Sequence, residues 1–256
     1  MLQPLEKLRE ETVAPRRSRP MPVLVDTRGA TTAIAPPVAA RADVFTDVTQ
    51  AVQAKSYFLT VKRAVDTVIA GLAILALSPV LLLTAVAIGL TSKGPVLFRQ
   101  TRYGLGNVPF TLYKFRSMYV DRQDVSGIAH TIEHDPRITR VGRFIRGWYI
   151  DELPQLFNVL KGDMSIVGPR AQVMGMRAVG VIYEDLVPIY RARHAVRPGI
   201  TGLAQVRGYR GEIKNAEQAF ARIDCDLEYI QRATLWLDVK ILALTVPSVI
   251  FGSVDC

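Results

Sequence analysis

The adjacent carboxylates Asp151 and Glu152 are the residues of this sequence best suited to chemistry. Neighbouring residues of a helix point about 100° apart, so the two side chains would not share one proton. One would face a reacting phosphorus while the other faces a metal ion. A plainer interpretation stays open, because acidic residues followed by Pro154 are also ordinary signals for the first turn of a helix.

Positive charge surrounds this pair. Between Lys93 and Arg146 the chain carries ten Lys and Arg against four Asp and Glu, a net +6 over 54 residues. A run of this kind is usually a solvated face. Beside a membrane it also suits anionic head groups or a phosphorylated substrate. Arginines recur every three residues just before the carboxylates, at Arg137, Arg140, Arg143 and Arg146.

Two glycine-rich stretches, Gly162–Arg170 and Arg197–Gln205, place an arginine beside Pro and Gly. A sharply turning backbone can present a guanidinium and N–H donors to phosphate, which makes Arg170 and Arg197 candidate phosphate ligands. Each stretch alone is weak, because Pro-Gly turns are common. The sequence has no Walker A, GxGxxG or HExxH pattern, and its histidines, His130, His134 and His194, lack metal-ligand spacing.

Short strands and helices must position these residues. Apolar and β-branched runs predict strands at 96–100 and 109–115 around a loop at 103–107. Helical spacing of apolar residues extends from Ile145 to Leu160, and a second such stretch covers 183–190. The C-terminal segment 235–251 is compatible either with the membrane interface or with completion of the core.

Residues 67–92 contain 26 residues without a charge. About 20 apolar residues cross a bilayer core, so this length favours membrane insertion over a buried helix of a soluble domain. Ser78-Pro79 lies near the middle, where proline removes a helical donor and the serine hydroxyl can compensate in part. Both flanks are basic, which places both ends on the cytoplasmic face. We predict a broken, re-entrant helix over 56–92, with a kinked spanning helix as the alternative.

The composition agrees with a protein at an anionic surface. The 256 residues are 49% hydrophobic and carry a net charge of +9, with a mean hydropathy of +0.19. Six of the 15 prolines fall in the first 37 residues, so we predict a disordered tail over 1–55, with no secretory signal. Residues 93–256 are predicted to form the catalytic domain. Cys225 and Cys256 indicate free thiols in a reducing compartment.

The order of motifs resembles that of the bacterial sugar transferases, the monotopic polyprenyl-phosphate phosphoglycosyl transferases, over about residues 57–250. Lys62-Arg63 and Asp66 precede the membrane segment with its Ser78-Pro79. The motifs that follow are GPVLFRQTRYG (94–104), KFRSM (114–118), DPRITRVGRFIR (135–146), DELPQLFNVLKGDMSIVGPR (151–170) and RPGITGLAQVRGYRGE (197–212).

The resemblance implies a role for each matching residue. Asp151 is the nucleophile, and Glu152 helps to hold Mg²⁺. Phosphate-facing positions are Lys114, Arg146 and Arg170. Asp226 corresponds to a further acid that we give as a tentative metal ligand, and Ser78-Pro79 to the helix break that makes the membrane segment re-entrant.

The implied fold is α+β: a monotopic membrane protein with a re-entrant helix, interfacial helices and a small mixed catalytic domain. The implied reaction transfers hexose 1-phosphate from a UDP-sugar to polyprenyl (undecaprenyl) phosphate, releasing UMP through an aspartyl-phosphosugar intermediate in exopolysaccharide synthesis. It would occur at the cytoplasmic face of the bacterial inner membrane, in contact with lipid, in a possible homo-oligomer. GLAQVRGYRGE indicates glucose or galactose, and N-acetylated sugars stay open.

The sequence departs from the family pattern at two places, and two other functions are considered. Ala171-Gln172 follow Arg170 where a proline is usual, and Trp148-Tyr149 precede the carboxylates where small hydroxyl residues are usual. The first alternative is a non-catalytic membrane scaffold of polysaccharide assembly. The second is a membrane-tethered nucleic-acid binder, which the carboxylate pair and the lack of a recognisable binding motif disfavour. We therefore expect no nucleic-acid partner.

Overall fold

A computed structural model of the chain describes residues 42–122, 135–211 and 213–250. Most of the predicted tail, together with His130, His134 and Cys256, lies outside these ranges. The last part of that tail forms helix α1, Ala42–Ala54. Val48 on this helix is 2% exposed and belongs to the main apolar cluster. The prediction of disorder is therefore wrong for this segment, because its apolar side chains bury against the domain.

Helix α2, Ser56–Thr91, contains the uncharged segment and is the one helix of the described residues long and apolar enough to cross a membrane. It continues through Pro79, so the predicted break into two helices is not confirmed. The Ser78 hydroxyl donates to the Leu75 carbonyl at 2.8 Å. That carbonyl is the one that a residue with an N–H at position 79 would have bonded.

The two sides of α2 differ in burial. Ala70 and Ile88 are buried against the domain, whereas Leu72, Leu75 and Leu83 are 63%, 73% and 70% exposed. Only 11% of the most apolar window of the helix is buried. A core helix of a soluble protein would bury such residues, so the exposed side indicates membrane association.

The first strands confirm the sequence prediction closely. Strand β1, Leu97–Tyr103, pairs antiparallel with β2, Pro109–Phe115, in a register that joins Leu97 to Phe115. A 3-10 turn over Leu105–Asn107 connects them, and Gly106 adopts the left-handed φ of 64°. This hairpin fixes the position of Lys114, near the end of β2.

The predicted helical stretch from Ile145 to Leu160 is divided into three pieces. Helix α3 covers Arg140–Gly147, a 3-10 turn covers Ile150–Glu152, and helix α4 covers Gln155–Lys161. The division occurs at Tyr149, whose φ of 55° is left-handed and interrupts the helical path. Apolar periodicity alone does not reveal such a turn, because the buried positions keep their spacing across it.

The two glycine-rich stretches pair with each other. Strand β3, Ser165–Val167, runs parallel to β6, Gly199–Thr201. A Cβ on Gly199 would lie 2.1 Å from the Gly168 amide nitrogen, so only glycine permits this backbone approach. The remaining elements are β4 (Arg177–Ala178), β5 (Val181–Ile182), α5 (Tyr183–Leu186), a 3-10 helix (Tyr190–Ala195), α6 (Leu203–Val206), α7 (Ala216–Arg232) and α8 (Leu235–Ile250).

Helix α8 has one side buried in the core and another side exposed, so both interpretations of the C-terminal segment apply to it. Ile241 and Asp238 are buried in the domain, whereas Trp236 and Leu244 are 67% and 58% exposed. The described elements thus form a mixed helix and strand domain with one long apolar helix, consistent with a monotopic membrane protein.

Candidate active site

Three separate elements bring Lys114, Glu152 and Arg170 together. Lys114 lies on β2, Glu152 on the 3-10 turn, and Arg170 follows β3. Lys114 Nζ donates to Glu152 Oε1 at 2.7 Å, and Arg170 donates to Oε1 at 2.5 Å and to Oε2 at 3.2 Å. Lys114 and Arg170, which were predicted to face phosphate, therefore both contact Glu152.

Asp151 differs from its neighbour in having no hydrogen bond to its carboxylate from the described part of the chain. Its residue exposure is 8%. Burial raises the pKa of Asp151 to about 6, although the charges of Lys114, Arg146 and Arg170 lower it. At neutral pH the carboxylate is thus mostly ionised and unbonded, which is the state a nucleophile requires.

The pKa of Glu152 is shifted in the direction opposite to that of Asp151. Burial alone would raise its pKa, but Arg170 and Lys114 hold the pKa of Glu152 well below its usual range. Two adjacent carboxylates with pKa values moved in opposite directions are suited to different tasks. This agrees with the expectation that the pair does not act on one proton.

The backbone before the pair is strained. Tyr149 has a left-handed φ of 55°, a conformation that costs a non-glycine residue about 1 kcal/mol or more. It turns the chain between α3 and the 3-10 turn, so that Arg146 at the end of α3 stays close enough to lower the pKa of Asp151. The structure therefore brings Arg146 to the site as predicted.

Two predicted residues lie elsewhere. Asp226 is 1% exposed and forms an ion pair of 2.7 Å with Arg193, which donates to the Arg170 carbonyl at 2.8 Å. This corrects the tentative metal assignment: Asp226 supports the backbone of Arg170 through Arg193. Arg197 donates to the Gly162 carbonyl at 2.8 Å and lies beside Arg63, so the structure does not bring it to the carboxylate pair.

The sequence prediction missed Arg102 and Gln155. They line a small cavity of about 20 Å³ together with Lys114 and Arg170, room for one oxygen-sized group. Gln155 is 2% exposed, and its amide nitrogen has no partner among the described atoms. Arg102 Nε is likewise buried without a partner. A buried amide on the inner face of a short helix is the one signal that could have identified Gln155.

Burial is the largest cause of the shifted pKa of Arg102. It lowers the pKa of Arg102 to about 10, with a further lowering by Arg170 that Glu152 partly offsets. The guanidinium remains charged at neutral pH. The cavity therefore combines three cations with one unpartnered amide donor, a set that favours an anionic oxygen.

Glu152 is the residue of the carboxylate pair with an oxygen that a bound Mg²⁺ would use. The described residues contain no cluster of three or more His, Cys, Asp or Glu suited to a metal. Mg²⁺ is commonly held by one or two carboxylates together with substrate phosphates and water, so such a cluster is not required. Glu152 Oε2 accepts one bond only, at 3.2 Å, and keeps a lone pair for a cation beside Asp151.

Two other candidates for chemistry that the structure describes, His194 and Cys225, are buried in the core. His194 is 4% exposed and packs against the rings of Tyr103 and Tyr190, with centroid distances of 5.2 and 5.4 Å. Burial lowers the pKa of His194 well below its usual value, so it is a neutral core residue. Cys225 is a buried free thiol.

Comparison with known proteins identifies the family of the chain. The family model described as bacterial sugar transferase matches residues 57–252. Exopolysaccharide production protein PSS of Rhizobium leguminosarum bv. phaseoli is 52% identical over 190 residues, 74% of this chain and 95% of the relative. The UDP-glucose:undecaprenyl-phosphate glucose-1-phosphate transferase of Caulobacter vibrioides is 50% identical over 189 residues, 74% of this chain and 69% of the relative.

Some relatives are much longer than the matched part. The undecaprenyl-phosphate glucose phosphotransferase of Komagataeibacter xylinus is 50% identical over 191 residues, which are 75% of this chain but only 36% of that protein. The shared region contains Asp151, Glu152 and the cations around them. With most of its length matched by the family model, the chain belongs to the bacterial sugar transferases, the family of enzymes that its motifs predict.

Proposed function

We propose that this enzyme transfers hexose 1-phosphate from a UDP-sugar to polyprenyl phosphate, giving polyprenyl-diphospho-sugar and UMP. The observation that carries the proposal is the contrast between the two carboxylates. Asp151 is unbonded within the described residues and has a raised pKa, while Lys114 and Arg170 hold Glu152 ionised. One carboxylate is available to react, and its neighbour fixes the cations around it.

In the first half-reaction an Asp151 oxygen attacks the sugar-bearing phosphorus. The bond between this phosphorus and the bridging oxygen breaks, and UMP leaves with the electron pair. The product is a mixed anhydride between Asp151 and the sugar phosphate. Lys114, Arg146 and Arg170 offset the repulsion between an anionic nucleophile and the diphosphate.

In the second half-reaction a phosphate oxygen of the lipid acceptor attacks the same phosphorus. The Asp151–phosphorus bond breaks, and the carboxylate is restored with its electron pair. Both half-reactions place negative charge on the non-bridging oxygens of one phosphorus. We assign one of these oxygens to the cavity lined by Arg102 and Gln155, because Gln155 Nε2 and Arg102 Nε are buried there and have no partner among the described residues.

Mg²⁺ is proposed as the cofactor, with Glu152 as its protein ligand. When bound, it would supply charge neutralisation to the diphosphate. The side chains of the chain perform the remaining tasks: Arg170 orients Glu152, and Asp151 provides the nucleophilic oxygen.

We propose a re-entrant arrangement of α2 at the cytoplasmic face of the inner membrane. The contacts of the helix support it, because both ends contact one domain. Near its start, Lys62 forms an ion pair of 2.7 Å with Asp238. Just beyond its end, Arg116 donates to the Ser92 carbonyl at 2.8 Å. Contact of both ends of the helix with one water-facing domain favours both ends on the same side of the bilayer.

Glucose is the sugar we propose, and exopolysaccharide synthesis the pathway, because relatives about 50% identical carry these names. The test measures UMP release with Mg²⁺ and polyprenyl phosphate against UDP-glucose, UDP-galactose and UDP-N-acetylhexosamines. Asp151→Asn should abolish release and covalent labelling by UDP-sugar. Asp185→Asn, a change at an exposed acid, is the control and should leave both intact. Full activity in Asp151→Asn would refute the mechanism.

A further inference from the structure

A second and larger cavity lies away from the carboxylate pair. Its volume is about 190 Å³. It is enclosed by α1, the first turns of α2, the residues just before β6 and the end of α7. A cavity of about 150 Å³ with apolar walls accommodates a molecule the size of benzene, so this one holds a short hydrocarbon segment. Its apolar walls are Val52, Leu59, Leu105, Val167, Val196 and Ala233.

Two arginines, Arg63 and Arg197, also line this cavity. Arg63 Nη2 donates to the Leu160 carbonyl at 2.9 Å, and Arg197 Nε donates to the Gly162 carbonyl at 2.8 Å. Neither forms an ion pair with a carboxylate of the described residues. Burial and the positive charge of Arg63 lower the pKa of Arg197, and Asp66 offsets part of this lowering. Two like charges held close together favour an anion between them.

The nearest acids are already engaged. Asp66 accepts from Lys62 at 3.4 Å and from Ser165 at 2.6 Å. Asp238 accepts from Lys62 at 2.7 Å and from Tyr229 at 2.8 Å. The single charge of Lys62 faces both carboxylates. With Arg63 and Arg197, three cations lie near two acids, and the net charge of +1 favours an anionic ligand.

The position of the cavity identifies the class of that ligand. Large aliphatic residues that are exposed on α2 begin directly after Arg63, with Val65 at 37%, Val68 at 61% and Leu72 at 63% exposure. The two arginines thus lie where the membrane-facing surface starts, at the level of lipid head groups. An apolar cavity beside a pair of cations at this level matches a lipid that carries a phosphate.

We infer that this cavity binds a lipid phosphate, with the phosphate at Arg63 and Arg197 and the adjoining part of the chain within the apolar walls. Two sources share this chemistry: a bilayer phospholipid and the polyprenyl phosphate acceptor. Only the second source depends on the proposed function. The cavity is close to the reaction site, because Arg197 lines it and Gly199, two residues later, lines the cavity of Arg102 and Gln155.

The test uses the full chain in detergent and native mass spectrometry with three probes: phosphatidylglycerol, polyprenyl phosphate and uncharged diacylglycerol. Thr60→Trp is the main variant, because the exposed Thr60 lines the cavity and an indole would fill it. Arg63→Gln combined with Arg197→Gln removes the cations. Ala64→Trp, at an exposed position of α2 outside the lining, is the matched control.

We expect Thr60→Trp and the double variant to bind a lipid phosphate at least about tenfold more weakly than Ala64→Trp, the loss typical of a charge-assisted hydrogen bond. Weaker binding of phosphatidylglycerol alone identifies a bilayer lipid. A tenfold rise in KM for polyprenyl phosphate, with UMP release in the absence of acceptor unchanged, identifies the acceptor.

Equal binding of both lipid phosphates by all variants would overturn the inference, and so would equally tight binding of diacylglycerol and phosphatidylglycerol. Loss of UMP release in every protein, including the unmodified chain, would instead refute the proposed function. The binding measurement would still decide the inference in that case.

Discussion

Arg170 and Glu152 form a two-bond fork, with Nη2–Oε1 and Nη1–Oε2 distances of 2.5 and 3.2 Å. This geometry orients the carboxylate as well as neutralising it, because a planar guanidinium matches the two oxygens at once. Arg193 extends the arrangement inward: it donates to the Arg170 carbonyl and pairs with the buried Asp226. The position of Glu152 is therefore fixed from the core outward.

Because Arg170 makes two bonds to Glu152, we expect that another cationic side chain cannot replace it. Arg170→Lys keeps the positive charge but loses one of the two bonds, so we expect UMP release to fall about 10- to 100-fold. Arg177→Lys, on an exposed arginine of β4, is the control and should keep its activity. A variant at position 170 as active as this control would show that orientation of Glu152 is not required.

The pKa of Asp151 predicts the pH dependence of the first half-reaction. The ionised form reacts, and its pKa is about 6. Activity is therefore fully present above this pH and falls about tenfold per unit below it. The measurement is UMP release without lipid acceptor, because a phosphate monoester also titrates near pH 6, whereas the diphosphate of a UDP-sugar does not.

A variant that removes the charge of Arg146 tests whether Asp151 causes the fall in activity at low pH. Arg146 lowers the pKa of Asp151, so Arg146→Gln should move the inflection to higher pH. A rate independent of pH between 5 and 8 would contradict the assignment of Asp151 as nucleophile.

Gln155 is a donor in the small cavity that it lines with Arg102. Its substitution is predicted to affect stability and activity in opposite directions. Gln155→Leu removes a buried amide nitrogen that has no partner among the described residues, so the protein should gain about 1 kcal/mol and 2–4 °C in Tm. The same change removes a donor to the transferred phosphate, and UMP release should fall at least about tenfold. Gln231→Leu, on the exposed side of α7, should change neither. A lower Tm in Gln155→Leu would mean that the amide stabilises the free protein instead.

The sequence predicted the hairpin and singled out the candidate carboxylate pair because both depend on local pattern. Alternating apolar residues and a Gly-Asn turn specify β1 and β2, and the order of motifs identifies Asp151 and Glu152. The division at Tyr149 was missed, because a left-handed tyrosine leaves the apolar spacing on either side intact. Burial of α1 was missed for a related reason: its few apolar residues gain stability only against a surface built from distant segments.

The residues that the prediction misplaced have partners that are distant in the sequence. Arg170 and Arg197 occupy similar Pro-Gly surroundings in the sequence, yet one contacts Glu152 and the other contacts Gly162. Asp226 lies between two other acids in the sequence, Asp224 and Glu228, and only the fold reveals Arg193 as its partner. No local pattern distinguishes such cases, because the partner is supplied by another element.

The last prediction concerns Lys62, which joins the membrane helix to the domain. Its ammonium lies 2.7 Å from Asp238 and 3.4 Å from Asp66, and all three residues are less than 10% exposed. Lys62→Met would leave two carboxylates buried without their cation, which typically costs about 3–5 kcal/mol. We expect Tm to fall by about 10 °C at pH 7.5. Lys214→Met, at an exposed lysine, should have no such effect.

The double variant Lys62→Met with Asp238→Asn tests the electrostatic cause of this loss. Removing one carboxylate should recover part of the stability if repulsion and desolvation of the two acids are responsible. Burial already raises the pKa of Asp238, and loss of Lys62 would raise it further. The carboxylate would then take up a proton as the pH falls, so the difference in Tm between Lys62→Met and the unmodified chain should narrow between pH 7.5 and 5. A difference independent of pH, with no recovery in the double variant, would show that Lys62 stabilises the helix by packing alone.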